Sequence, residues 1–133
     1  MKENGKFYGV EHFELMQKIF QRFLNKLVIT PHILSEINML SRKVKEPHFS
    51  AYFSKVVEQL QKCREETIEL KVILKNGHTR LIQFGFTDIA LVELAKREKW
   101  AILTDEFDMY RIFSQIIPVI NFSNVATREI YRV

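Results

Sequence analysis

Only three of the 133 residues are Asp, and all three lie between positions 88 and 108: Asp88, Asp105 and Asp108. The other 13 acidic residues are Glu. Carboxylates that converge without Cys or several His ligands suit hard cations such as Mg²⁺ or Mn²⁺. Such cations bridge phosphate oxygens and activate water for in-line hydrolysis. Like-charged carboxylates repel one another, so their convergence calls for a cation or a proton. Glu36, Asp88, Asp105 and Glu106 are the candidates.

Each candidate also has a plain structural role open to it. Glu36 sits beside the apolar stripe of its helix, with Met39 and Leu40 three and four residues on and so no local basic partner. Asp88 would favour the first turn of a helix through the macrodipole. Asp105 and Glu106 directly follow a predicted strand, where Asp serves turn chemistry. Asp108 has Arg111 three residues on, which suits a surface pair.

The other chemistry-bearing residues form no motif. His12, His32, His48 and His78 are scattered. Cys63 completes a helix stripe, and Ser35 has no visible triad. Gly77 and Gly85 build no phosphate cradle. Arg42, Lys43 and Lys45 form a basic patch able to contact nucleic-acid phosphates. Cations also suit a helix C-terminus with no ligand at all.

The elements that must position these groups follow from spacing. Phe13, Met16, Phe20 and Phe23 predict a helix over about Glu11 to Asn25. Val28-Ile29-Thr30 predicts a short buried strand, and Thr30-Pro31 a helix start. Ile33, Ile37, Leu40 and Val44 mark the inward face of that helix. Another helix is predicted from Phe49 to Cys63, and the alternation of Ile68, Leu70, Val72 and Leu74 predicts a strand over 67–74. Residues His78 to Phe84 are open between a hairpin strand and a helical turn. Asp88 to Lys99 predicts a helix capped by Thr87. Trp100 to Thr104 and Ile116 to Phe122 predict strands, with a short helix between. Alternating strands and helices imply an α/β fold with a parallel sheet, whose ligands sit beyond the carboxyl ends of the strands. Two of the predicted strands end in Thr and lead into Glu36 and into Asp105-Glu106.

Composition sets the bounds. The chain is 47% apolar and 27% charged with a net charge of +4, a globular composition for one domain, 1–133. One Cys excludes an intrachain disulfide framework. No apolar run reaches the roughly 18 residues of a membrane span, and the polar N-terminus is unlike a signal peptide, so a cytoplasmic protein is expected.

Together the pattern resembles the PIN-domain family of metal-dependent nucleases. Val28-Ile29-Thr30-Pro31-His32-Ile33-Leu34-Ser35-Glu36 looks like its second strand and acidic helix. Gly85-Phe86-Thr87-Asp88-Ile89-Ala90 looks like its G-x-T-D-A helix start, and Ile102-Leu103-Thr104-Asp105-Glu106 like its T-x-D strand end. The resemblance implies a three-layer α/β/α sandwich and an acidic site for Mg²⁺ or Mn²⁺ that hydrolyses RNA. Glu36, Asp88 and Asp105 would be its catalytic, metal-holding carboxylates. The T-x-D aspartate itself falls on Glu106, here the second choice of ligand after Asp105. Arg42, Lys43 and Lys45 would bind RNA. Toxin-like members bring an antitoxin-like protein inhibitor and self-association as further expected partners.

The chain departs from the family at its start. No Asp precedes Leu27, and Lys6 to Val10 is short and polar for a central strand. The domain is expected to lack the family's first strand and its aspartate, leaving an apolar slot for another chain or for residues 5–10. A degenerate PIN-like module that binds RNA or protein is therefore the alternative to a nuclease. An unrelated α/β interaction domain would hold the carboxylates far apart.

Overall fold

Thr30 shows how the chain turns from strand to helix. It ends strand β3 (Val28–Ile29) in extended geometry, and its Oγ1 accepts from the Ile33 amide at 3.3 Å, with Pro31 opening helix α2 (Pro31–Ser41). A hydroxyl cap that satisfies a free amide, followed by a residue that lacks one, is a low-cost helix start. A computed structural model of the chain describes residues 2–3, 6–7, 10–23 and 26–131.

In chain order, β1 (Lys2–Glu3) pairs antiparallel with β2 (Lys6–Phe7), and α1 (Val10–Phe23) follows. After β3 and α2 come α3 (His48–Leu60), β4 (Arg64–Glu65), α4 (Leu70–Leu74) and α5 (Gly77–Glu98). The chain closes with β5 (Ile102–Thr104), α6 (Phe107–Phe113), β6 (Val119–Asn121) and α7 (Phe122–Tyr131). β3 pairs parallel with β4, and β5 parallel with β6. The architecture is α/β: helices around two separate pairs of parallel strands. No helix of the described residues is long and apolar enough to cross a membrane.

Several expectations change. Residues 70–74 form helix α4, not the end of a strand. Ile73, outside the apparent alternation, is the buried residue at 1% exposure, while Leu70 and Leu74 are exposed. The segment from His78 to Phe84 is helical, the first part of α5. Gly85 interrupts α5 with φ 79° and ψ 174°, backbone that an L side chain rarely adopts. Leu40, expected inward, is half exposed. The described residues of 5–10 do not fill a slot: Lys6 and Phe7 pair with Lys2 and Glu3, and residues 5, 8 and 9 lie outside the described residues.

The core is lopsided. Every buried apolar residue among those described lies between Ile73 and Ala126. Ile89, Val92, Ile102, Met109 and Phe113 form its centre. Helix α3 buries no residue, and α2 buries only Ser41. Charged contacts tie the β3–β4 pair to α5. Glu66 receives Arg64 at 2.6 Å and Arg97 at 3.4 Å, Arg97 donates to the Thr67 carbonyl at 3.1 Å, and the Arg64 guanidinium lies over Trp100. These exposed ion pairs are individually weak.

Stability should follow this asymmetry. Ile89→Ala, in the packed centre, should cost about 2–5 kcal/mol. Leu60→Ala, on half-buried α3, should cost less than about 1 kcal/mol, because the side chain already meets water. Urea unfolding of both variants checks this, and equal losses would contradict it.

Candidate functional site

The carboxyl ends of β3 and β5 bring their carboxylates to the start of the second half of α5. Thr30 leads into α2, which carries Glu36 on its exposed side. Thr104 ends β5, and its Oγ1 accepts from the Glu106 amide at 3.1 Å, which fixes the turn bearing Glu106. The break at Gly85 restarts α5 just before Thr87 and Asp88.

Asp88 is the electrostatic centre. Its acidity is weakened, the pKa pushed up from 3.8 to about 7. Burial is the largest cause, because it disfavours the charged form. The Glu106 charge, a hydrogen bond with the Glu106 carboxyl, and the Glu36 charge follow. A hydrogen bond joins the Asp88 and Glu106 carboxyl groups, with Glu36 nearby. Glu36 Oε1 in turn accepts from Thr87 Oγ1 at 2.9 Å. The Thr87 hydroxyl, expected as a helix cap, holds a carboxylate of another helix.

Asp105 has a different setting. Its Oδ1 accepts from the Ser123 amide at 2.8 Å and from the Ser123 hydroxyl, at the start of α7. A carboxylate there meets free amides and the positive end of the helix dipole. Of the two choices after β5, Glu106 is therefore the one that bears on Asp88. Asp108 pairs with Arg111 at 3.5 Å, as its spacing implies. Among the described residues, His32 Nδ1 is buried with no hydrogen-bond partner.

The basic patch lies at the far end of α2. Arg42 is six residues beyond Glu36, about 9 Å along the helix axis. Its guanidinium lies over the Phe49 ring at 4.8 Å and the Phe53 ring at 5.4 Å. Lys43 and Lys45 are exposed beside it. Cys63 is half-buried, its Sγ bonded to the Gln59 carbonyl at 3.6 Å, and burial pushes its pKa up. That is the reverse of an activated thiol.

No protein-family model, curated protein or solved structure matches the chain. The site therefore has to be read from its own groups. The oxygen-only donors suit a hard cation, and the Asp88 carboxyl keeps its proton near pH 7 because it is buried and lies beside other carboxylates. Among the described residues, no three His, Cys, Asp or Glu side chains stand close enough to hold one ion as they lie. Asp88 and Glu106 are the adjacent pair, and Glu36 is turned to Thr87.

Sequence reasoning missed Ser123 and Thr87 as partners. Thr87 stands beside Asp88 in the sequence, where its position reads as a helix cap, yet its hydroxyl donates to Glu36. Ser123 belongs to α7, whose start at Asn121-Phe122-Ser123-Asn124 carries a readable cap: Asn121 Oδ1 accepts from the Asn124 amide at 2.9 Å.

Folding should depend on the Asp88 proton. The native state holds it up to about pH 7, whereas the unfolded chain loses it near 3.8. The Asp88 contribution to stability is full below about pH 4 and declines as pH rises to about 7. Asp88→Asn keeps the shape without the charge. It should raise the melting temperature at pH 8 by several degrees and flatten its decline between pH 4 and 7. Calorimetry across that range checks this, and an unchanged pH slope in the variant would contradict it.

Proposed function

We propose that this chain is a PIN-like, Mg²⁺- or Mn²⁺-dependent endoribonuclease whose acidic site is Asp88, Glu106 and Glu36. The observation that carries the reading is the Asp88 carboxyl, half-buried beside Glu106 and Glu36, whose pKa is pushed up to about 7 by burial first and by those two carboxylates second. Structural carboxylates pair with bases or helix ends, as Asp105 and Asp108 do here. A buried carboxyl beside a second carboxylate, with a third nearby, is an arrangement that a divalent cation relieves. The finer fold belongs to the same proposal: a three-layer sandwich whose two parallel pairs are parts of one sheet.

Each group has a task in this reading. Thr87 orients Glu36, the Thr104 hydroxyl fixes the turn that presents Glu106, and Gly85 sets the approach of Asp88. A bound cation would be held by Asp88 and Glu106, with Glu36 joining after a side-chain rotation, and would supply Lewis acidity and an activated water for phosphodiester hydrolysis. Asp105, first in the ranking from sequence, is given the task of anchoring α7. Arg42, Lys43 and Lys45 offer exposed positive charge to the RNA backbone. The choice of RNA, the antitoxin-like inhibitor and the toxin-like role rest on the family resemblance alone.

The second reading, a degenerate module that binds RNA or protein without cutting, is favoured by one observation. No three ligating side chains share one ion as they stand among the described residues.

Calorimetric Mn²⁺ titration and a cleavage assay on labelled single-stranded RNA separate the two. The nuclease reading expects Mn²⁺ binding and metal-dependent cleavage, with Asp88→Asn and Glu106→Gln each slowing cleavage at least roughly 100-fold. RNA binding with neither metal binding nor cleavage would overturn it in favour of the second reading.

A further inference from the structure

Among the described residues, the exposed phenylalanines are Phe23, Phe86 and Phe107. A single exposed apolar side chain needs no explanation, and Phe23 has none. The other two stand at the acidic site. Phe86 is 53% exposed and directly precedes Thr87, whose hydroxyl donates to Glu36. Phe107 is 60% exposed and directly follows Glu106, which is hydrogen-bonded to Asp88. Neighbouring Cα atoms are about 3.8 Å apart, so each ring is rooted one residue from a member of the cluster or its holder.

The two rings come from different elements. Gly85 is the residue of α5 with non-helical geometry, so Phe86 and Thr87 sit about 100° apart on the restarted helix. Phe86 thus flanks the cluster on the side where Thr87 meets Glu36. Phe107 opens α6 and flanks it on the side of Glu106. Between the rings lie the carboxylates. A partner protein that covered both rings would have to bury that charge, which is costly. A single nucleic-acid strand meets no such obstacle. Its base faces stack on aromatic rings, and the phosphates between them stay with water and cation. In a duplex the same faces are already stacked and paired.

We propose that Phe86 and Phe107 grip the substrate: each stacks on an unpaired base, one on either side of the phosphate that the acidic site addresses. The proposal rests on the nuclease reading for the phosphate between them and adds what holds the flanking nucleotides. The grip selects strand state over sequence, because every base has a face to stack.

The test uses the full chain and a short labelled oligouridylate in Ca²⁺, which takes oxygen ligands in flexible geometry. Anisotropy should show saturable binding, and the ring protons of Phe86 and Phe107 should move upfield in NMR spectra as bases stack on them. Phe86→Leu and Phe107→Leu should each weaken binding at least about 5-fold, the low end for one stacked base. Phe86→Trp and Phe107→Trp should retain it. An oligomer of abasic sugars should bind the wild type and both Leu variants alike. Circular dichroism checks that the variants are folded. A wild-type chain that binds no RNA overturns the proposal. So do Leu variants that bind as the wild type does, and so does an equal loss with the abasic oligomer. The nuclease reading fails on a separate measurement, cleavage in Mn²⁺. Ring shifts and Leu sensitivity without cleavage would remove that reading and leave the stacking. Cleavage with unchanged KM in both Leu variants would remove the stacking and leave the reading.

Discussion

A parallel strand offers hydrogen bonds along both edges, and among the described residues β3 and β5 are each paired with a strand along one. That constraint shapes the rest of the molecule. Parallel pairs gain stability when helices cover both faces and neighbours cover both edges. Here helices surround two separate pairs, and a cavity lies between them. The packed core accordingly gathers around α5, α6 and the β5–β6 pair, where Ile89, Val92, Met109 and Phe113 have partners on every side. The β3–β4 half carries the same kinds of side chain, Ile33, Ile37, Val56 and Leu60, without burying them fully. It is held across the opening mainly by polar contacts at one end, from Glu66 and Arg97.

The acidic site follows from the same arrangement. Glu36 of α2, which follows β3, and Glu106, which follows β5, both lie near Asp88 of α5. Gly85 makes the meeting possible: its positive φ breaks α5, so a new helix start brings Thr87 and Asp88 toward Glu36 and Glu106. An L side chain at this backbone would be strained whatever the space around it.

The parts of this picture legible in the sequence are those governed by local chemistry. The cap at Thr30-Pro31 and the strand from Ile102 to Thr104 were readable, because each depends on neighbours within a few residues, whereas the approach of Glu36 to Asp88, across 52 residues of chain, was expected only through the family resemblance. The choice between Asp105 and Glu106 was not. Adjacent residues leaving a strand point in opposite directions, and which one faces inward is decided by Ser123, 18 residues away. Residues 70–74 failed for a related reason. Leu70, Val72 and Leu74 alternate as in a strand, but Ile73 is the residue that the tertiary core selects, and a short helix presents it. The cavity between the strand pairs was foreseen only through the resemblance.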